Sequence, residues 1–283
     1  MSEPTHGAST DELMDRLRKI DVFEGLPAGD LARIADIVAG VGGEGVRDAD
    51  VGADGGFHAV SRVLQAVLLP AVAPRVEGFD VAAGTTTEET GRGGSVWDWV
   101  TLRDGRIAFL TLDVRQEGLP PAHLLGVART VIRGLAADYA ALPEILAKAN
   151  EALSAAALDG FDQFVEVGML VARPDGVEWA SAGRVPGGVI RRGGALEEFE
   201  AHGPPLGMLG GFKYSVQEVT VSAGDAVLVL SHASHGLFLG AADLVAQLHG
   251  KPSGELVTTL HRTIRQAHGD ERTETSVLYA RKH

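Results

Sequence analysis

The chain has 283 residues, of which 45% are hydrophobic and 22% charged, values ordinary for a globular protein that buries a sizeable core. Its net charge of −13 disfavours a nucleic-acid backbone or an anionic membrane as a partner. Cysteine is absent, which excludes disulfides, thiolate metal sites and a cysteine nucleophile.

At the start, Met1–Asp11 has neither the basic opening nor the apolar core of a signal peptide. No run anywhere reaches the roughly 18 apolar residues of a spanning helix, so a cytoplasmic location is expected. Ser9 or Thr10 is placed to cap a helix whose first turn carries Asp11 and Glu12 and whose apolar face is Leu13, Leu17 and Ile20. Leu26-Pro27 breaks it, and Asp30 caps a second short helix carrying Leu31, Ile34 and Ile37. Residues 1–40 therefore read as a helical hairpin. Residues 41–57 are rich in glycine and aspartate and read as a linker. Their Asp48-x-Asp50-x-Gly52-x-Asp54 pattern is no calcium loop, because a loop begun at Asp50 puts Ser61 where the closing glutamate belongs. Gly40-x-Gly42-Gly43-x-Gly45 lacks a following Lys-Ser or Lys-Thr and is no phosphate cradle.

Residues 58–283 form the main domain. Val60, Val63, Leu64, Val67 and Leu68 recur at helical spacing up to Pro70. Strands are predicted at Phe79–Ala83, Val96–Leu102 and Ile107–Val114, the last two joined by an Arg103-Asp104-Gly105 turn. Two helices follow, opened by Pro121 and Pro143. Further strands are predicted at Phe164–Ala172, Val177–Ala182, Val189–Arg192, Glu197–Ala201, Tyr214–Val221, Val227–Ser231 and Ser276–Arg281, with a helix over Gly254–Ala267 before the last. Strands, then helices, then strands again argue for α+β architecture with helices outside an antiparallel sheet pair. Trp97, Trp99 and Trp179 are expected between sheets and helices.

Several segments together resemble a known family. They are Leu64-Gln65 with Leu68-Leu69-Pro70, Arg92-Gly93-Gly94-Ser95-Val96-Trp97, Leu112-Asp113-Val114-Arg115-Gln116-Glu117-Gly118, Ser181-Ala182-Gly183-Arg184, Gly203-Pro204-Pro205-Leu206-Gly207 and Gly224-Asp225-Ala226. In order and spacing they resemble the PPM (phosphatase 2C-like) family, in particular its SpoIIE and sigma-factor-regulator serine phosphatases. The resemblance implies an αββα sandwich of two antiparallel sheets flanked by helices, preceded by a short helical segment. It also implies that the 58–69 helix pairs between two subunits as a homodimer. Residues 17–35 separately resemble the lead-in helices of a cyclic-nucleotide-binding domain, but the β-roll that should follow is missing.

Active relatives of this kind hydrolyse phosphoserine or phosphothreonine with two manganese or magnesium ions. Two dications ~3.8 Å apart repel by roughly 17 kcal/mol at an effective dielectric of 20, and several carboxylates must offset this. Here the resemblance places Ser95 where the first acid belongs, keeps Asp113, puts His232-Ala233 in place of an Asp-Gly pair, and puts Thr273-Glu274 in place of the closing acid pair. Arg184 stands where the family has histidine. The reading is a catalytically silent phosphatase-like module with no cofactor, binding or regulating a protein partner of the STAS phosphoprotein type through a groove with Ser95, Glu117, Arg184 and His235. The alternative is a divergent metallophosphatase with a rebuilt site of Asp113, His232 and Glu274, His235 beside them, holding Mn or Mg, or a single Zn or Mn. A serine nucleophile, Ser231 or Ser234 beside His232 or His235 with Asp225 near, lacks any nucleophile-elbow pattern and is disfavoured.

Overall fold

The computed structural model describes residues 70, 72–85, 94–114, 121–155, 164–231, 233–268 and 275–283. The N-terminal hairpin, the linker, the 58–69 helix, Glu117, His232, Thr273 and Glu274 lie outside the described residues.

Two sheets face each other. The first has the order β1 (Phe79–Thr85), β11 (Ser276–Lys282), β10 (Ala226–Leu230), β6 (Gly187–Ile190) and β7 (Leu196–Glu198). The second runs β2 (Ser95–Thr101), β3 (Ile107–Asp113), β4 (Glu166–Arg173), β5 (Gly176–Ala182) and β8 (His202–Gly203), with β9 (Gln217–Thr220) also on β5. All pairings are antiparallel except β5 with the two-residue β8, which is parallel. The expectation of two antiparallel sheets thus holds apart from this one short edge.

Helices α1 (Pro121–Asp138) and α2 (Leu142–Ala155) cover the second sheet, while α3 (His235–Gln247) and α4 (Ser253–His268) cover the first. The layering follows from strand period. In β10, Ala226, Leu228 and Leu230 pack against α3 and α4, while Val227 and Val229 face the opposite sheet. A strand buried on both faces must be apolar throughout, and Ala226-Val227-Leu228-Val229-Leu230 is. In β3, Ala108, Leu110 and Leu112 meet α1 and α2, whereas Ile107 and Phe109 face between the sheets. Alternation places Thr111 and Asp113 on that inter-sheet side as well.

The tryptophans correct one expectation. Trp179 and Trp99 pack between the two sheets, where Trp179 stacks on Phe199 with ring centroids 4.8 Å apart. Trp97 shares the face of β2 that carries Trp99, so none of the three is read as filler between sheet and helix. Helix α1 is tied to its sheet by Asp98, a buried carboxylate 2.7 Å from Arg129 Nε and 2.9 Å from Arg133 Nη1. Helix α3 was not expected from sequence, since Gly236 and Gly240 weaken its propensity. It forms because Phe238, Ala241, Ala242 and Val245 make one buried stripe and Ser234 caps it, accepting from Leu237 N at 3.2 Å.

Candidate functional site

At one end of the sandwich three strands bring three residues level. Ser95 lies opposite Asp113 across β2 and β3, and Asp113 lies opposite Glu166 across β3 and β4. Directly opposed antiparallel residues share a face, so all three belong to the inter-sheet side. Asp113 is 5% exposed and Ser95 is fully buried. Ser95, expected in an open groove, is instead interior. Glu166 was not expected; the long connection from β3 to β4 hides their register in the sequence. Its side chain runs over Gly183, where an added Cβ would meet Glu166 Cγ at 2.5 Å. Gly183 also has φ +86°, so this corner of the Ser-Ala-Gly-Arg segment needs glycine twice over.

Facing these residues from the other sheet are hydroxyls. Ser95 Oγ donates to Ser276 Oγ at 2.9 Å and lies 2.6 Å from Ser231 Oγ. Ser276 N–H donates to Ser95 Oγ at 3.1 Å and to Ser231 Oγ at 2.9 Å. Thr85 Oγ1 lies 2.7 Å from Ser276 Oγ. Each hydroxyl owns one proton. With Ser95's proton given to Ser276, Ser231 donates to Ser95, while in the Ser276–Thr85 contact either hydroxyl can donate. These contacts of Ser95 with Ser231 and Ser276 join the two sheets. Thr275, beside them, is also fully buried.

These geometries bear on the other sequence candidates. Ser231 is held inside this network, and Ser234 is spent capping α3. Asp225 sits before the far end of β10, six residues from Ser231 and so roughly 20 Å away along an extended strand. There it accepts from Arg192 N and Arg191 Nη1, both at 2.9 Å, and from Ser222 N at 3.0 Å. Burial pushes its carboxyl up, but these hydrogen bonds outweigh that and hold it below its ordinary value. A Ser-His-Asp relay through Asp225 is therefore not formed.

Arg184 and His235 line a cleft of about 520 Å³, together with Glu198, Glu200 and His202. His235 opens α3, its side chain 63% exposed and its Nδ1 3.6 Å from Glu198 Oε2. His202 Nδ1 is 2.9 Å from Ser181 Oγ. Desolvation, with Arg184 adding to it, lowers the His202 pKa below its ordinary value. Glu198, Glu200 and His202 had no sequence signal, because their common wall is assembled from separate strands.

Among the described residues no group of three or more His, Asp or Glu side chains is placed to hold an ion. At the sheet end the described carboxylates are Asp113 and Glu166, next to neutral hydroxyls already bonded to one another. Neutral hydroxyls do not offset the repulsion of two dications, so these residues do not fit the pair.

Known proteins give the geometry its setting. The family described as Stage II sporulation protein E (SpoIIE) matches residues 103–281. The fold is similar to the PP2C phosphatase domain, with a fragment of the regulatory domain, of SpoIIE from Bacillus subtilis, at TM-score 0.60 and 15% identity over 72% of this chain and 61% of that one. It is also similar to the RsbU and RsbW domains of a Mycobacterium tuberculosis protein, at TM-score 0.59 and 21% identity over 73% and 62% of the two chains. A third likeness is the catalytic domain of the serine threonine protein phosphatase PstP in complex with two manganese ions, at TM-score 0.53 and 13% identity over 72% and 97%. The matched part spans about three fifths of the first two structures. No curated protein sequence matches the chain.

Proposed function

Because the chain belongs to the Stage II sporulation protein E (SpoIIE) family of phosphatase-like domains found in signalling proteins, we propose that it is a binding or regulatory module in which phosphoester hydrolysis is lost. The observation that carries this reading is the hydroxyl network of Thr85, Ser95, Ser231 and Ser276 at the sheet end. Ser95 stands where the family resemblance places an acid, and its proton is committed to Ser276. A hydroxyl staple between sheets supports a domain held together without divalent ions. The partner is a protein, of the small STAS phosphoprotein type, in the cytoplasm, and a homodimer forms through the 58–69 helix.

A second reading draws on Asp113, which keeps its acid and lies level with Glu166. It is a divergent phosphatase with a rebuilt site of Asp113, His232 and Glu274. One measurement separates the two. Protein purified without chelator is expected to contain substoichiometric metal by plasma mass spectrometry and to release no phosphate from a phosphoserine peptide when manganese is added. Manganese-stimulated release that disappears in Asp113→Asn would overturn the silent reading.

A further inference from the structure

The cleft beside Arg184 and His235 is acceptor-rich. Ser181 Oγ has one proton and faces two carbonyls, Gly183 O at 3.0 Å and Ala201 O at 3.2 Å. Its 2.9 Å contact with His202 Nδ1 holds the imidazole at the cleft wall. Two acceptors, the carboxylates of Glu198 and Glu200, stand in the same lining. Glu198 Oε2 lies 3.6 Å from His235 Nδ1. Pro186 and Ala233, both half-buried, supply an apolar wall. Among the described residues Arg184 is the one lining side chain of permanent positive charge.

Among the described residues the lining holds two carboxylates and one guanidinium, on a chain whose net charge is −13. Such a surface steers and holds cations in preference to anions. An apolar wall asks for more than a bare ion, and about 520 Å³ is the size of a site for a small organic group.

We propose that this cleft receives a lysine or arginine side chain from an extended segment of a partner protein, its charged head at Glu198 and Glu200 and its aliphatic stem against Pro186 and Ala233. The inference rests on reading the domain as a binding module, and it gives that module's partner a chemistry: a basic segment. Long basic side chains suit a site of this kind because their stems are apolar and their heads are charged. Arg184 opposes the incoming charge, which makes the sign of its removal informative.

The test uses the full chain and four probes by fluorescence anisotropy or calorimetry. These are a blocked octapeptide of alanine and glycine with a central arginine, the same peptide with citrulline, the same with glutamate, and blocked arginine alone. The arginine peptide is expected to bind, with affinity falling about tenfold or more on citrulline substitution and in the Glu198→Gln/Glu200→Gln double variant. Arg184→Ala is expected to tighten binding, and added salt to weaken it. Near-ultraviolet circular dichroism confirms that the variants are folded. No binding, equal binding of arginine and citrulline peptides, or preferred binding of the glutamate peptide that is lost in Arg184→Ala overturns the proposal. Blocked arginine binding as tightly as the peptide overturns the extended-segment part and assigns the cleft to a free small cation. Assaying the same preparation for manganese-dependent phosphate release keeps the two failures apart. Turnover with peptide binding intact defeats the silent reading alone, while absence of both defeats this proposal alone.

Discussion

Ser95 accepts from Ser231 Oγ and from Ser276 N–H while donating to Ser276 Oγ, so removing its hydroxyl breaks these three contacts among the described residues. None of the partners can turn to water, because Ser231 and Ser276 are as buried as Ser95 itself. A hydrogen bond contributes about 1 kcal/mol net, but a buried group left without a partner costs about 1–3 kcal/mol. Ser95→Ala is therefore expected to lower unfolding free energy by about 1–3 kcal/mol in urea titration, with an unchanged slope against denaturant. An effect below about 0.5 kcal/mol would mean that the network rearranges freely and does not staple the sheets. Asp113 and Ser95 were legible in sequence because each lies inside a short segment of recognisable order. Glu166 was not, since its place beside Asp113 is a register between strands joined by a long connection.

At the scale of elements, the packing of α4 on β1 rests on a histidine over a glycine. An added Cβ at Gly84 would stand 2.5 Å from His261 Cε1, so the ring occupies the space a side chain would need. Burial lowers the His261 pKa, Arg265 adds to this, and a hydrogen bond to the Gly84 backbone only partly opposes them. The folded protein thus binds a proton here less readily than the unfolded chain, whose histidine titrates near ~6.5. The stability this lends is complete above pH ~6.5 and is lost as pH falls from there through the depressed folded value. Thermal melts between pH 7.5 and 5 are expected to show a falling midpoint that is flatter in His261→Leu. His202, lowered in the same direction, is present in both proteins and cancels in the comparison. Parallel profiles would remove His261 as a source of acid sensitivity. The elements themselves were mostly visible, because β10 and α1 announce themselves by apolar period. Helix α3 was hidden by its glycines, and the serine before it drew attention as a nucleophile when its role is a cap. Where an element's signal is a single hydrogen bond and a buried stripe interrupted by glycine, propensity and packing point in opposite directions, and packing wins.

Across the whole molecule, the sequence order of strands and helices was enough to give four layers, since each sheet has to bury both faces. Arg184 and His235 of the cleft were named from sequence, but its acceptors were not legible, because they converge only after β7, β8 and α3 have packed together. The larger question is what closes the open end of the sandwich. PstP's domain holds two manganese ions; here the described residues place a neutral hydrogen-bonded staple between the sheets. Cohesion of that kind does not respond to metal, so chelator and millimolar manganese are expected to leave the wild-type melting temperature in place. Ser95→Asp should reverse this. It sets a third carboxylate level with Asp113 and Glu166 on adjacent strands, and directly opposed like charges destabilise a sheet. It also removes the hydroxyl that links Ser231 to Ser276. The variant is expected to melt lower than wild type in chelator and to regain stability as manganese is titrated, because a ligand that binds only the folded state stabilises it by mass action. The wild type melting higher in manganese to the same extent would mean that a metal centre already exists. A variant indifferent to manganese would mean that Ser95 is not where the missing acid belongs.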